Sequence, residues 1–289
     1  MKILITIYNF QNLTGSEMYV YDLARELVGK GHDVTIGRLF GGEGEIVDKA
    51  REIGIKVCEL YKIRETFDII HSNETQPTRW ACQNLTSPIV QTLHSELIEK
   101  YESPFISPYV KHYICVKESI YQKALKTGIE KAKLSVIYNG VDEDRFKKCP
   151  LPKGNTKFLF IGTRDYLRQK AAVDLVHNLN DGESVTFMGK GWGVGKDVVH
   201  PQVRFIDQKW NVENEIKQAH IVAGVLLGRS TIEGWLMGRK GLIYDIDSNG
   251  DILGKNIQER PKDYKKYSSS VMANNILGVY KKIINGKNS

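Results

Sequence analysis

The sequence predicts an α/β protein of two doubly wound, Rossmann-like domains that face a cleft. Short β-branched runs alternate with amphipathic helical segments from end to end, the pattern of parallel sheets with helices on both faces. The alternation restarts after "KKCPLPKGNT" (147–156), which holds two prolines, a glycine and several charges. At 289 residues the chain is long for one hydrophobic core and comfortable for two. We therefore expect a first domain over 1–150 and a second over 151–289, with the last helix placed to pack back on the first.

In the first half, "KILITIY" (2–8) is expected to form a buried strand. "SEMYVYDLARELVGKG" (16–31) is expected to be a helix, with Met18, Tyr21, Leu23, Leu27 and Val28 on a broad apolar face and Gly31 stopping it. Strands come next at "HDVTIGRLF", "IKVCEL", "FDIIHS", "PIVQTLH", "HYICV" and "LSVIY", and helices at "GEIVDKAREIG" and "KESIYQKALKTG". In the second half, "TKFLFIG" (156–162), "SVTFMGKG", "VRFID", "IVAGVL" and "GLIYDI" have strand character. Helices are expected over 169–180, in the first part of "GRSTIEGWLMGRKGLIYD" (228–245), and at "SSVMANNILGVYKKIING". No short repeat or low-complexity segment interrupts the pattern.

Composition narrows the class. No window of 18 apolar residues lacks a charge, so no transmembrane helix is expected. "MKILITIYNF" is too short for a secretory core and has no cleavage site after it, so a cytoplasmic protein is expected. Cys58, Cys82, Cys115 and Cys149 are far apart with no C-x-x-C spacing, which favours free thiols over zinc or a disulfide framework. The net charge of +7 is uneven: residues 1–150 carry 20 basic and 20 acidic side chains, the remainder 21 and 14. Such asymmetry fits an anionic partner of the second half (a nucleotide diphosphate, a nucleic acid or a membrane surface) or a lysine-rich solvated face.

Open α/β sheets bind ligands outside the carboxyl ends of their strands, so the residues just after each strand are the candidates. "NFQNLTGSE" puts Gly15 and Ser16 at a helix N-terminus, where free N–H groups favour an anion or a sugar hydroxyl; a plain cap turn with Ser16 capping explains the same residues. No G-x-G-x-x-G is present, so a dinucleotide fingerprint is not supported. His94 comes after "PIVQTL" and can polarise or hydrogen-bond a substrate, or be structural; His71 competes for the role. "TRDYLRQKA" brings Arg164, Arg168 and Lys170 together, enough to grip a diphosphate by planar forks and a point charge, or to form a basic solvated junction. "FMGKGWGVGKD" has Lys190 and Lys196 among glycines but lacks P-loop spacing, which favours a flexible turn. "DID" (245–247) imitates a metal-binding pair at a strand end that already accounts for Asp245, and no metal is expected. Glu233 is a lone carboxylate in a small, apolar helix.

Together these stretches resemble the family-4 retaining glycosyltransferases of the GT-B fold over most of the chain. "GSEMYVYDLARELVGKGHDVTI" is similar to the family's first helix and second strand, with Thr14-Gly15 in place of its Gly-Gly turn. "DIIHSN", "VIYNGVDEDRF" (136–146), "FLFIGTRDYLRQKA" and "GRSTIEGWLMGRKGLIYD" resemble later segments, the second being the most specific. The resemblance implies that Gly15 gives its backbone to the donor, with Ser16 beside it. His94 stands near the reacting sugar, and Arg164 and Lys170 hold the diphosphate and neutralise the leaving group. Gly228, Arg229, Ser230 and Thr231 present a helix N-terminus to the donor, and Glu233 accepts hydrogen bonds from the ribose. Two departures stand out. Val225 occupies the place of a second glutamate that often contacts the donor sugar, and Gly162-Thr163-Arg164 replaces a Gly-Arg pair.

The implied reaction is transfer from a nucleoside-diphosphate sugar, a UDP-sugar among the candidates, to a hydroxyl acceptor with retention. It needs no metal or other cofactor where fixed cations stabilise the leaving group. The acceptor is expected to be a glycan or lipid-linked sugar, with peripheral membrane contact left open. Two alternatives use the same fold: glycosylation of hydroxylated bases in duplex DNA, for which "ERPKDYKK" and "YKKIINGKNS" would line a basic groove, and a non-catalytic nucleotide-sugar-binding protein, for which Val225 argues. A nucleotide-sugar epimerase is a third.

Overall fold

The structure is a computed structural model that describes residues 1–96, 102–194 and 200–286. The chain divides into two compact units, Met1–Gly140 with Lys265–Ser289, and Val141–Tyr264.

The first unit runs β1 (Lys2–Asn9), α1 (Gly15–Gly29), β2 (Asp33–Phe40), α2 (Glu45–Glu52), β3 (Lys56–Glu59), β4 (Ile69–Asn73), α3 (Thr75–Asn84), β5 (Ile89–Leu93), β6 (Val110–Cys115), α4 (Glu118–Lys126) and β7 (Leu134–Val136). Its sheet has the order β3-β2-β1-β4-β5-β6-β7, with every pairing parallel. Strands covered on both faces read as continuous apolar runs, and the centres of β1, β4 and β5 are buried throughout.

The second unit runs β8 (Lys157–Ile161), α5 (Tyr166–His177), β9 (Ser184–Met188), β10 (Val203–Ile206), α6 (Glu213–Lys217), β11 (Ile221–Val225), α7 (Arg229–Leu236), β12 (Lys240–Ile246) and β13 (Ile252–Gln258). Its sheet has the order β10-β9-β8-β11-β12-β13, parallel except for the antiparallel edge pair β12–β13. Phe158, Phe160, Phe187, Trp192 and Leu242 are among the residues of its core. Arg239 lies in this unit as a clamp: its guanidinium donates to the carbonyls of Ile216, Cys149 and Pro150 at 2.9–3.1 Å.

The last helix, α8 (Ser269–Asn285), belongs to the first unit and packs on α1. Gly140 explains part of that docking: a Cβ there would strike the backbone of Ser269, so only glycine allows the approach. Tyr280 of α8 then enters a buried polar chain. Its hydroxyl bonds His71 Nδ1 at 2.7 Å, His71 Nε2 bonds the Thr92 hydroxyl at 2.7 Å, and Thr92 bonds the Tyr19 hydroxyl at 3.3 Å.

The α/β alternation and both doubly wound sheets match expectation. Two boundaries are corrected. The N-cap of α1 is Thr14, not Ser16: the Thr14 hydroxyl and N–H donate to Glu17 Oε2 at 2.6 and 3.2 Å, so Glu17 rather than Ser16 organises the turn. α5 starts at Tyr166 instead of 169, because Asp165 caps it by accepting the Arg168 N–H at 2.9 Å. α3, α6 and β13 add three elements to the expected order. All four cysteines are free thiols.

Candidate active site

Each sheet has one place where the strand order reverses: between β1 and β4 in the first unit, and between β8 and β11 in the second. A crevice outside the carboxyl ends is expected at such a point. Glu74 directly follows β4 and Leu226 directly follows β11, and they are the non-glycine residues with positive φ among the described residues, at 69° and 54°. Backbone held there costs of order 1–3 kcal/mol and gathers at functional positions. Both sheets thus store strain at the same topological place.

In the second unit, the loop after β8 is closed by a glycine contact. A side chain on Gly189 would strike the Gly162 carbonyl, which also accepts the Trp192 indole N–H at 2.6 Å. Arg164 leaves this loop partly exposed, its N–H donating to the Lys190 carbonyl at 2.8 Å. Arg168 pairs with Asp165 one turn away, and exposed Lys170 pairs with Asp251. Arg168 and Lys170 are thus each held by a carboxylate of their own. Lys190 is exposed, and Lys196 lies outside the described residues.

Leu226 leads into Gly228, the extended N-cap of α7, whose first-turn N–H groups lack intrahelical acceptors. Arg229 and Ser230 are half-buried, and Thr231 is buried with its hydroxyl oxygen unpartnered. Glu233 is buried one turn in, its Oε1 accepting from Arg229 Nε at 2.6 Å. This pair, between residues four apart on α7, holds the side chain of Glu233 against that of Arg229. Val225 ends β11 and packs against the core of this unit. Asp247 has a turn role: its Oδ1 accepts the N–H groups of Asn249 and Asp251 at 2.8 and 2.9 Å.

In the first unit, His94 is partly exposed just after β5, whereas His71 is fully buried inside β4. That separates the two histidines: His71 is structural. His94 Nε2 bonds Asn73 Oδ1 at 2.9 Å, and its ring meets Tyr19 edge-on at 4.7 Å. Burial lowers His94 to about 4 and His71 to about 3, so both are neutral near pH 7.

Glu102 is the functional-site feature that motif reading misses. Its buried Oε2 accepts the N–H groups of His94 and Ser95 at 2.6 and 2.9 Å. Burial raises it to about 8 and Glu74 to about 7. Gly15 and Ser16 occupy the first turn of α1, exposed and half-buried, with Glu17 Oε1 also accepting from the N–H groups of Gln11 and Asn12 at 2.8 Å. The Glu of the "TGSE" turn was the available signal for that role.

Charge divides differently by structural unit than by sequence half. The first unit holds 22 basic and 17 acidic side chains and the second 19 and 17. The lysine-rich end of the chain belongs to the first unit. There Lys281 acts on His32, before β2, and Lys282 on His112, near the start of β6, at the amino ends of the strands.

Residues 13–145 match the sequence profile described as Glycosyltransferase Family 4. No curated protein sequence matches the chain significantly. Among solved structures, a glycosyltransferase from Rickettsia africae ESF-5 aligns at TM-score 0.70 and 16% identity, over 100% of this chain and 99% of that one. Anabaena HepE in complex with UDP and glucose aligns at 0.67 and 14%, again over 100% and 99%. Sucrose-phosphate synthase from Thermosynechococcus elongatus aligns at 0.67 and 13%, over 99% and 100%. The fold is therefore that of the GT-B glycosyltransferases over the whole length. Over residues 13–145, somewhat under half of its length, the chain is similar to glycosyltransferase family 4. No helix among the described residues is long and apolar enough to cross a membrane.

Proposed function

We propose that the chain transfers a sugar from a nucleoside-diphosphate sugar, a UDP-sugar first among the candidates, to a hydroxyl acceptor with retention and without a metal. The observation that carries this reading is the switch point of the second unit. There Arg164 and the first turn of α7 emerge from neighbouring strands, with Glu233 held rigid one turn further on. The UDP bound by HepE supports the choice of nucleotide.

In this reading Arg164 and the N–H groups of Gly228, Arg229, Ser230 and Thr231 meet the diphosphate, and Glu233 accepts from the ribose hydroxyls. As the bond from the anomeric carbon to the diphosphate oxygen breaks, its electron pair stays on that oxygen. A bond to the acceptor oxygen forms, and the acceptor proton ends on the released diphosphate or solvent. Arg164 stabilises the charge that develops. Lys170 joins it after leaving Asp251, an exposed pair worth about 0–1 kcal/mol that a diphosphate can displace. His94, neutral and held by Asn73, is the residue this reading assigns to the reacting sugar, and Gly15 and Ser16, in the first turn of α1, are those it assigns to the donor.

Calorimetric titration with UDP tests the assignment. Glu233→Gln keeps one acceptor oxygen beside Arg229 and is expected to bind UDP roughly tenfold more weakly with an unchanged circular dichroism spectrum. Equal affinity would remove the ribose role. Hydrolysis of UDP-glucose by the wild type without an acceptor would eliminate the non-catalytic reading that Val225 invites.

A further inference from the structure

We infer that Tyr8, Phe40 and Glu74 form the acceptor subsite of the first unit and that it takes a pyranose ring; this rests on the reading of the chain as a sugar transferase.

Tyr8 and Phe40 are large aromatic side chains left in solvent, 38% and 58% exposed, at the carboxyl ends of β1 and β2. Their rings lie 5.0 Å apart and tilted by 48°, so together they present a shallow apolar corner. Glu74 stands next to this corner: its Oε2 accepts the N–H of Tyr8 at 2.9 Å across the switch point. The carboxylate is thus fixed beside the aromatic pair by a backbone that holds it at positive φ.

The ground under the corner is rigid. Arg38, only 3% exposed, donates to the carbonyl of Phe10 at 3.2 Å and to that of Gly42, tying the loop after β1 to the loop after β2. Gln11 Oε1 accepts the N–H of Gly42 at 3.1 Å, and Glu17 gathers the N–H groups of Gln11 and Asn12. A preorganised surface of this kind loses little entropy on binding.

A pyranose has an apolar face of C–H groups and a rim of hydroxyls. The aromatic corner matches the first and the carboxylate the second. A nucleic acid would also stack on the rings, but its phosphates would meet the acid Glu74, while the buried Arg38 is already engaged with the carbonyls of Phe10 and Gly42 and with Glu43 and Glu59. Lys281 and Lys282 lie by the amino ends of the strands, away from this corner. The chemistry therefore favours a glycan or glycoside over duplex DNA.

The test is saturation-transfer NMR with the methyl glycosides of glucose, galactose, mannose and N-acetylglucosamine, with and without UDP. Alongside it run UDP-glucose hydrolysis and UDP titration in wild type, Tyr8→Ala, Phe40→Ala and Glu74→Gln. Both aromatic side chains are exposed, so their truncation spares the core. The expected result is transfer to the ring C–H protons of at least one glycoside, roughly tenfold weaker binding in each aromatic variant, and weaker binding in Glu74→Gln. UDP affinity and UDP-glucose hydrolysis should stay at wild-type values in Tyr8→Ala and Phe40→Ala. No glycoside binding, or binding that the variants leave unchanged, overturns the subsite even while hydrolysis upholds the transferase reading. Duplex DNA binding that Tyr8→Ala and Phe40→Ala weaken overturns the pyranose assignment. A wild type that stacks a glycoside on this corner but neither binds UDP nor hydrolyses UDP-glucose leaves the subsite standing and removes the transferase reading.

Discussion

Around the switch point of the first sheet the polar groups are neutral or acidic and hold one another: His94 on Asn73, Glu102 on the amides of His94 and Ser95, Glu74 on the amide of Tyr8. At the switch point of the second sheet the side chains are largely cationic, with Arg164 and Arg229 beside the N-terminus of a helix and a single buried acid, Glu233. The two units share a winding order and even a strained residue at the same position, yet in the proposed reading one takes hydroxyls and the other phosphate. Fold alone therefore does not divide the labour; the few residues after each strand do.

The largest expected effect breaks the cationic side. Arg164→Ala should lower kcat by about 10²–10³, the loss typical of one preorganised group facing developing charge, while glycoside binding by the first unit stays unchanged. Steady-state kinetics with UDP-glucose checks the first part, and an unaltered kcat would show that Arg164 does not face the leaving group.

A smaller effect sharpens the neutral side. Glu102 is raised from 4.5 to about 8, so its protonated form is favoured by folding. Its contribution to stability is fully present below pH 4.5 and is lost as pH rises through 8. Glu102→Gln keeps the acceptor for the His94 and Ser95 amides and cannot ionise. Its Tm should match wild type near pH 4.5 and exceed it by a few degrees above pH 8. Parallel Tm profiles over that range would mean that the carboxyl is not held neutral.

The smallest effect probes what the two units share. At Leu226, with φ of 54°, alanine should be less stable than glycine by about 1 kcal/mol, because only glycine occupies that region without cost. At neighbouring Val225, inside β11, the order should reverse. Urea unfolding of the four variants reads both differences; the same order at both sites would contradict the strain.

Much of this was legible in the sequence. Parallel strands buried on both faces announce themselves as apolar runs, as "KILITIY" and "IVAGVL" do for β1 and β11. β13 escaped because it is an antiparallel edge: "ILGKNIQ" is mostly exposed, and Leu253 and Ile257 give it no buried face to betray a period. α3 escaped because "TQPTRWACQN" is polar and carries a proline in its first turn. Glu233 was conspicuous as an acid among small apolar residues. Glu102 was not: its partners are backbone amides eight and seven residues away, and no spacing of side chains records such a contact. Net charge misled, because the lysines near the end of the sequence belong by contact to the first unit.

In the proposed reading, phosphate charge is met by the second unit. A crystal structure with UDP bound tests it most directly. Diphosphate oxygens are expected within hydrogen-bond distance of Arg164 and of the first-turn amides of α7, with Glu233 on the ribose. Diphosphate density at the corner of Tyr8, Phe40 and Glu74, with Glu233 touching only Arg229, would contradict it.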